Sequence, residues 1–464
     1  MMRRFLFSFV GLCFAVCCAP AAAEVKLHGL FTDHMVLQQG MDVPVWGTAA
    51  DGEKVTVSIG DQKVETTGAG GKFRVNLKPL SAGGPHTLVV AGTNTVTLGD
   101  VLVGEVWICS GQSNMQLAVA QGETPEKIIA ESANPKIRLF TVPRDRDANP
   151  RSDVKSSWVE CGPTTVGDFS AVGYHFGRAL HAKLGVPVGL ISCNVGGTAA
   201  EEWTSREVLE SDEDLKPTLK NDRSTTLYNA MLHPLAPFAI RGAIWYQGES
   251  NAGRAEQYRE LFPAMIKNWR DLWGQGDFPF LFVQLAPWKM IVDTPGDSDW
   301  AELREAQLMT TKNVPKTAMA VITDFGDEKD IHPKPKASVG ERLALAARAI
   351  AYGEKIVYSG PVCSKMEIRG NEAVLSFDHV GGGLEVRGEK LKGFTIAGAD
   401  GAFVNADARI DGDKVVVKND ALNEPKMVRF GWANYPVVNL YNKDGLPATP
   451  FRTDELPGVT AGRR

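Results

Sequence analysis

The sequence contains few cysteines, and their spacing argues against two classes of small-protein architecture. Three of the seven cysteines lie within the first 18 residues, and the others are scattered at Cys109, Cys161, Cys193 and Cys363. Disulfide scaffolds and zinc sites show short, regular cysteine spacings, so this distribution predicts neither. We expect buried free thiols, although Cys109 and Cys193 each end an apolar run and could be neighbours. No other metal-ligand cluster is evident, so the sequence predicts no metal and no cofactor.

Excess positive charge is also missing. The chain has 50 lysines and arginines against 55 aspartates and glutamates, a net charge of −5. A nucleic-acid-binding surface needs a basic patch, so we expect no nucleic-acid partner. Beyond residue 23, no segment approaches the roughly 20 apolar residues that a membrane span requires, so we expect no membrane span. The sequence leaves protein partners undefined.

The first 23 residues have the pattern of a secretory signal peptide. A short basic start is followed by an apolar stretch from Phe5 to Cys18 and by small residues that end at Ala23. We predict cleavage after Ala23 and export, to the periplasm or out of the cell. Lipidation at Cys17 or Cys18 is a less favoured alternative, because the usual small residue before the cysteine is missing.

The mature chain divides into three regions by its apolar pattern. Residues 24–100 alternate apolar and polar residues between turn clusters, which predicts a small antiparallel, β-sandwich-like domain. Residues 101–353 alternate continuous apolar strands with amphipathic helices, which predicts a parallel sheet covered by helices on both faces, a three-layer α/β/α core. Residues 354–464 return to strand-like patterns and predict a C-terminal β-rich region.

Specific elements follow from the same patterns. Strands are predicted in the core at Val106–Cys109, Val188–Cys193, Ala243–Tyr246, Phe278–Leu285 and Thr317–Thr323. Core helices are predicted at Ala171–Leu184, around Tyr258–Trp273 and at Val339–Ala351.

Ser113 is the candidate nucleophile. It lies in the segment Gly104–Met115, where a buried strand ends at a glycine, and loops at strand ends build the sites of open α/β sheets. A serine hydroxyl is a weak nucleophile unless a base accepts its proton. The alternative is that Ser113 only caps the helix that follows.

His332 is the candidate base. It follows a predicted strand, has Asp330 two residues before it, and precedes a predicted helix. The other seven histidines have weaker contexts in β regions, on a helix or before a proline: His28, His34, His86, His175, His181, His233 and His379. Two further loops, Gly196–Thr198 and Gln247–Ser250, offer hydrogen-bond donors of the kind an oxyanion needs. Together these blocks predict a serine hydrolase.

The order of the blocks resembles the SGNH hydrolases. An α/β-hydrolase would show Gly-x-Ser-x-Gly with acid and histidine in separate loops, whereas here Met115 replaces the second glycine. Within that superfamily the chain is similar to the sialate O-acetylesterase family. The similar blocks are Asp33–Gln39, Cys109–Met115, Gly196–Thr198 with Glu202-Trp203, Trp245–Asn251, Ile331–Pro333 and Asn439–Pro447.

This resemblance implies roles for the site residues. Ser113 would attack an acetyl carbonyl while His332 accepts the proton. The oxyanion would be held by the Ser113 amide, by an amide of Gly196 or Gly197, and by the Gln247 side chain. The alternative for the glycine pair is a simple tight turn.

The acid of the triad stays open between two residues. SGNH enzymes commonly place the acid three residues before the histidine, but that position is Lys329. Asp330 is slightly favoured over Glu249, and a Ser–His dyad is a further alternative. The remaining candidates are weaker, namely Asp324 and Asp327.

The resemblance implies O-acetylated sialic acid as the substrate. Acetylated xylan or another acetylated polysaccharide is the alternative, and a glycan-binding protein with an inactive esterase core is the non-enzymatic one. A sialate carboxylate needs a nearby cation, for which Arg206 and Arg254 are the candidates; otherwise both are solvated surface arginines.

Overall fold

The computed structural model describes residues 24–464, so the predicted signal peptide lies outside the described residues. Within this part of the chain, no helix is both long enough and apolar enough to cross a membrane. Residues 24–464 form 24 strands and seven α-helices.

The strands are β1 Lys26–Leu27, β2 Val36–Gln38, β3 Val43–Thr48, β4 Lys54–Ile59, β5 Gln62–Thr67, β6 Lys72–Leu77, β7 Gly83–Ala91, β8 Thr95–Gly111, β9 Asn134–Thr141, β10 Trp158–Cys161, β11 Val188–Asn194, β12 Gly242–Tyr246, β13 Phe280–Val283, β14 Thr317–Ala320, β15 Val362–Arg369, β16 Glu372–Asp378, β17 Leu384–Val386, β18 Phe394–Ala397, β19 Val404–Asn405, β20 Asp407–Asp411, β21 Lys414–Lys418, β22 Met427–Phe430, β23 Leu440–Asn442 and β24 Phe451–Arg452. The helices are α1 Ser113–Gln116, α2 Pro125–Ala130, α3 Ala171–Leu184, α4 Arg206–Glu210, α5 Ala255–Trp273, α6 Asp299–Asn313 and α7 Lys336–Ile350.

The central sheet confirms the predicted three-layer core. Its order is β10-β9-β11-β8-β12-β13-β14, and every pair is parallel except the antiparallel edge pair β10–β9. Alternate residues of β8 point to opposite faces. Ile108 packs in the cluster that contains the apolar side of α5 and α6, whereas Trp107 packs in the cluster formed with α3 and α7. Helices therefore cover both faces.

The N-terminal β region is continuous with this core. Strand β8 crosses the boundary that we predicted between residues 100 and 101, pairing with β7 at its start and with β11 and β12 at its end. The first six residues of β8 are partly exposed and the last eleven are buried. The change in the sequence pattern at Asp100 thus marks a change in burial along one strand, and that boundary is corrected.

The C-terminal region forms its own small sheets, as the sequence predicts. The strands β15-β16-β21-β20, β17-β23 and β19-β18-β22-β24 surround a separate apolar cluster. Arg304 of α6 joins this region to the core, because its buried guanidinium donates to the carbonyls of Leu285, Ala286, Ala433 and Asn434. Burial lowers the pKa of Arg304 to about 9.

Helix α6 is absent from the sequence prediction. Its buried residues include the polar side chains of Glu302, Arg304 and Gln307, so it lacks a clean apolar stripe at helical spacing. The four cysteines of residues 24–464 are free thiols, and three of them are buried as expected, whereas Cys363 is half-buried.

Candidate active site

Ser113 lies at the centre of the carboxyl edge of the sheet. It opens α1 immediately after β8, between the ends of β11 and β12. Gly111 makes this turn possible: its φ is +137°, and a Cβ there would lie 2.2 Å from the carbonyl oxygen of Tyr246. After β8 the chain continues to β9 in one half of the sheet, and after β12 it continues to β13 in the other half. Ser113 therefore sits where neighbouring connections diverge, the usual place for a ligand site in such sheets.

A buried charge network holds β8 in place below Ser113. Glu105 is fully buried and pairs with Arg241 at 2.6 Å, while Gln39 donates to it at 2.6 Å and the Tyr352 hydroxyl donates at 2.9 Å. Gln38 accepts the Val106 N–H at 2.8 Å. These glutamines belong to the Asp33–Gln39 block, which therefore has a structural role in positioning the strand that leads to Ser113.

The structure brings Ser113, His332 and Asp330 together in a hydrogen-bonded series. Ser113 Oγ lies 2.9 Å from His332 Nε2, and His332 Nδ1 lies 3.1 Å from Asp330 Oδ1. The same carboxylate oxygen accepts the backbone N–H of His332 at 2.9 Å. The side chains of His332 and Asp330 are 35% and 51% exposed. An imidazole between a hydroxyl and a carboxylate is arranged to accept the hydroxyl proton.

Glu249 accepts a hydrogen bond from Asn114 and forms none with His332. Asn114 Nδ2 donates to Glu249 Oε1 at 2.7 Å and to the carbonyl of Ile331 at 3.1 Å, and its Oδ1 accepts from Lys336 Nζ at 2.5 Å. Burial raises the pKa of Glu249, an effect opposed by the Asn114 hydrogen bond and by nearby Lys336 and His332. Burial lowers the pKa of Lys336 to about 7, although Glu249 and Asp330 oppose this.

This arrangement distinguishes the four carboxylates proposed from the sequence. Asp330 contacts the imidazole, whereas Asp324 forms a two-pronged ion pair with Arg342. Asp327 accepts the backbone N–H groups of Lys329 and Asp330, which shapes the loop before His332. The geometry therefore favours Asp330 as the acid, with Asp327 supporting its loop.

Two backbone amides in the segments around Ser113 donate to no acceptor among the described residues. They belong to Ser113, at the start of α1, and to Gly197, which has a φ of +68° and is exposed. The Gly196 N–H, in contrast, donates to Gln116 Oε1 at 2.6 Å. Gly196 still matters sterically, because a Cβ there would lie 3.3 Å from Ser113 Cβ. Of the predicted glycine pair, Gly197 thus offers the free donor.

The predicted oxyanion role of Gln247 requires a correction. Its side chain is completely buried, and its amide nitrogen donates to the Thr198 carbonyl at 3.1 Å and to Asn251 Oδ1 at 2.7 Å. Its oxygen accepts from the Tyr258 hydroxyl at 3.0 Å. Gln247 follows β12 as expected, but it points into the protein and ties together the two loops beside Ser113.

The two predicted substrate cations are also corrected, because both are paired with carboxylates. Arg254 contacts the buried Glu201 at 2.6 Å and also donates to Gln257. Arg206 lies exposed on α4 and pairs with Glu210 at 3.2 Å. Neither guanidinium is available as an unpaired anion site in this structure.

The structure points to a different cation at the edge of the site, Arg144. It follows β9 in an exposed loop, and its Nε donates to the carbonyl of Asn194 at 3.3 Å, two residues before Gly196. Among residues 24–464 it forms no ion pair within 4.0 Å. Its position after a sheet strand was the available sequence signal. Asn114 and Lys336 were also missed, although Asn114 lies beside Ser113 in the nucleophile segment.

One group elsewhere in the described chain has the composition of a metal site: His34, Asp100 and Glu160. The guanidinium of Arg138 lies 2.6 Å from Asp100 and 3.5 Å from Glu160. Since a cation already occupies the position between these carboxylates, the residues do not fit a metal ion. The expectation of no metal remains a prediction.

Comparison with known proteins gives the same family that the sequence blocks around Ser113 resemble. Residues 103–349 match the family described as carbohydrate esterase, sialic acid-specific acetylesterase. The chain is 30% identical to sialate O-acetylesterase of Mus musculus, with 96% of this chain and 97% of that protein aligned. It is 30% identical to sialate O-acetylesterase of Homo sapiens, with 94% and 95% aligned.

A solved structure agrees over a similar extent. A carbohydrate acetylesterase from Xanthomonas citri superposes with a TM-score of 0.88 at 42% identity, covering 93% of this chain and 100% of that chain. The similarity includes the β regions on both sides of the core, as well as the core itself. On the strength of these matches and of the site that they enclose, the chain is an esterase that belongs to the sialic acid-specific acetylesterase family of carbohydrate esterases.

Proposed function

We propose that the protein is a serine esterase that removes O-acetyl groups from carbohydrate, with O-acetylated sialic acid as its substrate. The observation that carries this proposal is the 2.9 Å contact between Ser113 Oγ and His332 Nε2 at the edge of the sheet, in a chain of this esterase family. We also propose that the protein is exported, on the basis of the signal-like residues 1–23.

The contacts support a two-step mechanism through an acetyl-serine. Ser113 Oγ attacks the acetyl carbonyl carbon while His332 Nε2 accepts the hydroxyl proton. The bond to the sugar oxygen then breaks, and His332 gives its proton to that oxygen. Water next attacks the acetyl-serine, its proton passing to His332 and then to Ser113 as acetate leaves. Asp330 keeps the imidazole oriented and stabilises its cation in both steps.

The negative charge that develops on the carbonyl oxygen needs donors fixed in advance. The free N–H groups of Ser113 and Gly197 supply them, since neither has an acceptor among the described residues. Such donors act mainly on the transition state, and each is typically worth about 10²- to 10³-fold in rate. The Gln116 side chain holds the Gly196–Gly197 loop against α1 through the Gly196 N–H.

Arg144 favours an acidic sugar over a neutral one. Its guanidinium donates one hydrogen bond to the Asn194 carbonyl and forms no ion pair within the described chain, so its other N–H groups can donate to a substrate carboxylate. A planar guanidinium matches a carboxylate with two parallel hydrogen bonds. Neutral acetylated xylan would make no use of this charge.

The test compares three substrates at equal enzyme concentration: an O-acetylated sialic acid, acetyl-xylan and p-nitrophenyl acetate. We expect the first to have the highest kcat/KM, and EDTA to leave turnover unchanged. Arg144→Gln should lower the ratio of kcat/KM for the sialate over p-nitrophenyl acetate about tenfold or more, the value of a charge-assisted hydrogen bond. Arg206→Gln is the matched control and should leave this ratio unchanged.

Two outcomes would separate the alternatives. A higher kcat/KM on acetyl-xylan, unaffected by Arg144→Gln, identifies a polysaccharide acetylesterase. Absence of turnover on all three substrates identifies a protein whose esterase core is inactive.

A further inference from the structure

A second cleft, with a volume of about 710 Å³, lies between the N-terminal β region and loops of the catalytic core. One wall is the outer face of the sheet β1-β3-β6, and the other is formed by the loop around Ser152 and the turn from His233 to Pro237. None of its lining residues belongs to the Ser113 site. Ligand sites commonly have volumes of about 300–1,000 Å³ and often lie where two regions meet.

The sheet wall presents an aromatic ring beside positive charges. Strand register places Lys26, Thr48 and Lys72 in one cross-strand row, and Trp46 opposite Arg74 in the next. Alternate residues of a strand share a face, so all five side chains point to the side that lines the cleft. Trp46 is half-buried and the other four are exposed.

Packing fixes Trp46 as a rigid platform. Its ring lies 4.9 Å from that of His28 and 4.8 Å from that of Phe31, with the Phe31 ring edge-on at 82°. His28 Nε2 lies 3.3 Å from Asp153, whose carboxylate also accepts the Gly29 N–H. The indole is therefore held from behind by the contact between the two regions, while part of it remains open to the cleft.

The cations of this wall are unpaired, and the carboxylate that lines the cleft, Asp153, is bound on one oxygen by His28 and the Gly29 N–H. No described carboxylate forms an ion pair within 4.0 Å of Lys26, Lys72 or Arg74. Arg151, on the other wall, is bound by two aspartates, Asp145 and Asp147. In a chain of net charge −5, this local excess of free positive charge favours an anionic ligand.

We propose that this cleft binds an acidic oligosaccharide, a glycan segment whose sugar units carry carboxylates. The C–H face of a sugar ring packs on the exposed part of Trp46, and the carboxylates accept hydrogen bonds from Arg74 and from Lys26 or Lys72. A neutral glycan would leave the three cations unused. The inference is independent of the proposed function, because it requires no acetyl group and no turnover.

The test measures binding of a linear trimer of sialic acid without O-acetyl groups, by isothermal titration calorimetry on the full mature chain. We expect the wild type to bind it in the cleft, and Trp46→Ala and Arg74→Gln each to weaken that binding about tenfold or more, equivalent to about 1.4 kcal/mol. Raising the salt concentration should weaken it as well. Arg144→Gln should retain this binding event, which separates the cleft from the Ser113 site.

Lys54→Gln is the matched control, since Lys54 is an exposed cation of β4 that does not line the cleft. It should bind the trimer as the wild type does and show the same p-nitrophenyl acetate turnover. Melting temperatures show whether Trp46→Ala and Arg74→Gln remain folded. A folded Arg74→Gln that binds like the wild type would overturn the inference.

Two other occupants of the cleft are distinguishable. If a neutral cellotriose bound with equal affinity, the proposal that the ligand must carry carboxylates would be overturned. Sedimentation that shows a dimer in the wild type and a monomer in Trp46→Ala would overturn the inference in favour of a second copy of the chain.

Discussion

Ser113 and Asn114 are neighbours in sequence, yet their side chains enter two different environments. Ser113 joins His332 and Asp330 in a group that we call the exposed triad, open to solvent at the sheet edge. Asn114 joins Glu249 and Lys336 beneath it, in a group that we call the buried triplet. Lys336 is only 2% exposed.

The comparison shows that burial suits two groups of similar chemistry to different roles. Protons can move in the exposed triad at low cost, because water screens the changing charges. A buried charge is costly unless it is paired, so the buried triplet is suited to holding geometry. Asn114 also donates to the Ile331 carbonyl, which fixes the loop that carries His332 to the turn that carries Ser113.

The largest effect on catalysis should come from the exposed triad. Ser113→Ala or His332→Ala should lower kcat by about 10³-fold or more, because the nucleophile or its base is lost. The melting temperature should change little, since both side chains are partly exposed. Rates and melting curves of the same preparations check this, and more than about a tenth of the wild-type kcat in either variant would remove that residue from the mechanism.

The next largest effect should distinguish the two candidate acids, Asp330 and Glu249. Asp330→Asn should lower kcat about 10²-fold or more, because the amide no longer stabilises the imidazolium. Glu249→Gln retains an acceptor for Asn114 and should have a smaller effect on kcat but a larger one on stability. The measurement is kcat together with urea unfolding for both variants. A reversed order would make Glu249 the acid, and small effects on kcat in both would indicate a Ser–His dyad.

A double-mutant cycle measures how strongly Lys336 and Glu249 of the buried triplet interact. At pH 6, where folded Lys336 carries its proton, Lys336→Met or Glu249→Gln alone should destabilise the protein by about 3 kcal/mol, because each change leaves the other group buried without the opposite charge. The double variant should be more stable than the sum of the two losses predicts, by about 1 kcal/mol or more. Urea unfolding at one pH measures all four proteins, and strict additivity would mean that the two charges do not interact.

The stability of the protein should also depend on pH through Lys336. Its folded pKa is lowered to about 7, whereas an unfolded lysine titrates near 10.4. Between these values the unfolded chain binds the proton and the folded chain does not, so stability rises with pH by at most about 1.4 kcal/mol per unit. Below pH 7 both states carry the proton and this contribution is constant.

The Lys336→Met variant isolates that contribution. The free energy of unfolding of the wild type should increase relative to that of Lys336→Met as the pH rises from 7 to 9.5. The loss of Lys336 raises the pKa of Glu249 further, which acts in the same direction. A difference that stays constant over this range would show that Lys336 keeps its proton.

The sequence predicted the regular elements of the core well, because their patterns depend on local spacing. Helix α3 agrees at both ends with the predicted Ala171–Leu184, and Gly185 ends it in the left-handed conformation. Strand β11 covers the predicted Val188–Cys193 and extends one residue further, to Asn194. Helix α6 was missed, because its buried face carries polar residues that only tertiary partners satisfy.

For the site, the sequence predicted which residues lie there more reliably than it predicted where their side chains point. Ser113, His332 and Asp330 lie together as predicted from their motifs, although their roles stay predictions. Gln247 lies where expected along the chain but points inward to Thr198 and Asn251. A one-dimensional pattern cannot show which side of a loop faces the site.

By itself, the sequence determined the layer architecture and the family, and it predicted which two residues would meet at the proposed site. These follow from spacing along the chain and from side-chain type. Tertiary structure alone decided which carboxylate meets the imidazole, which amides near Ser113 stay free, and which arginine beside that site remains unpaired. Each of these depends on contacts between residues far apart in the chain, such as Asn114 with Lys336 and Arg144 with Asn194, and on the burial that makes an unpaired charge costly in one place and inexpensive in another.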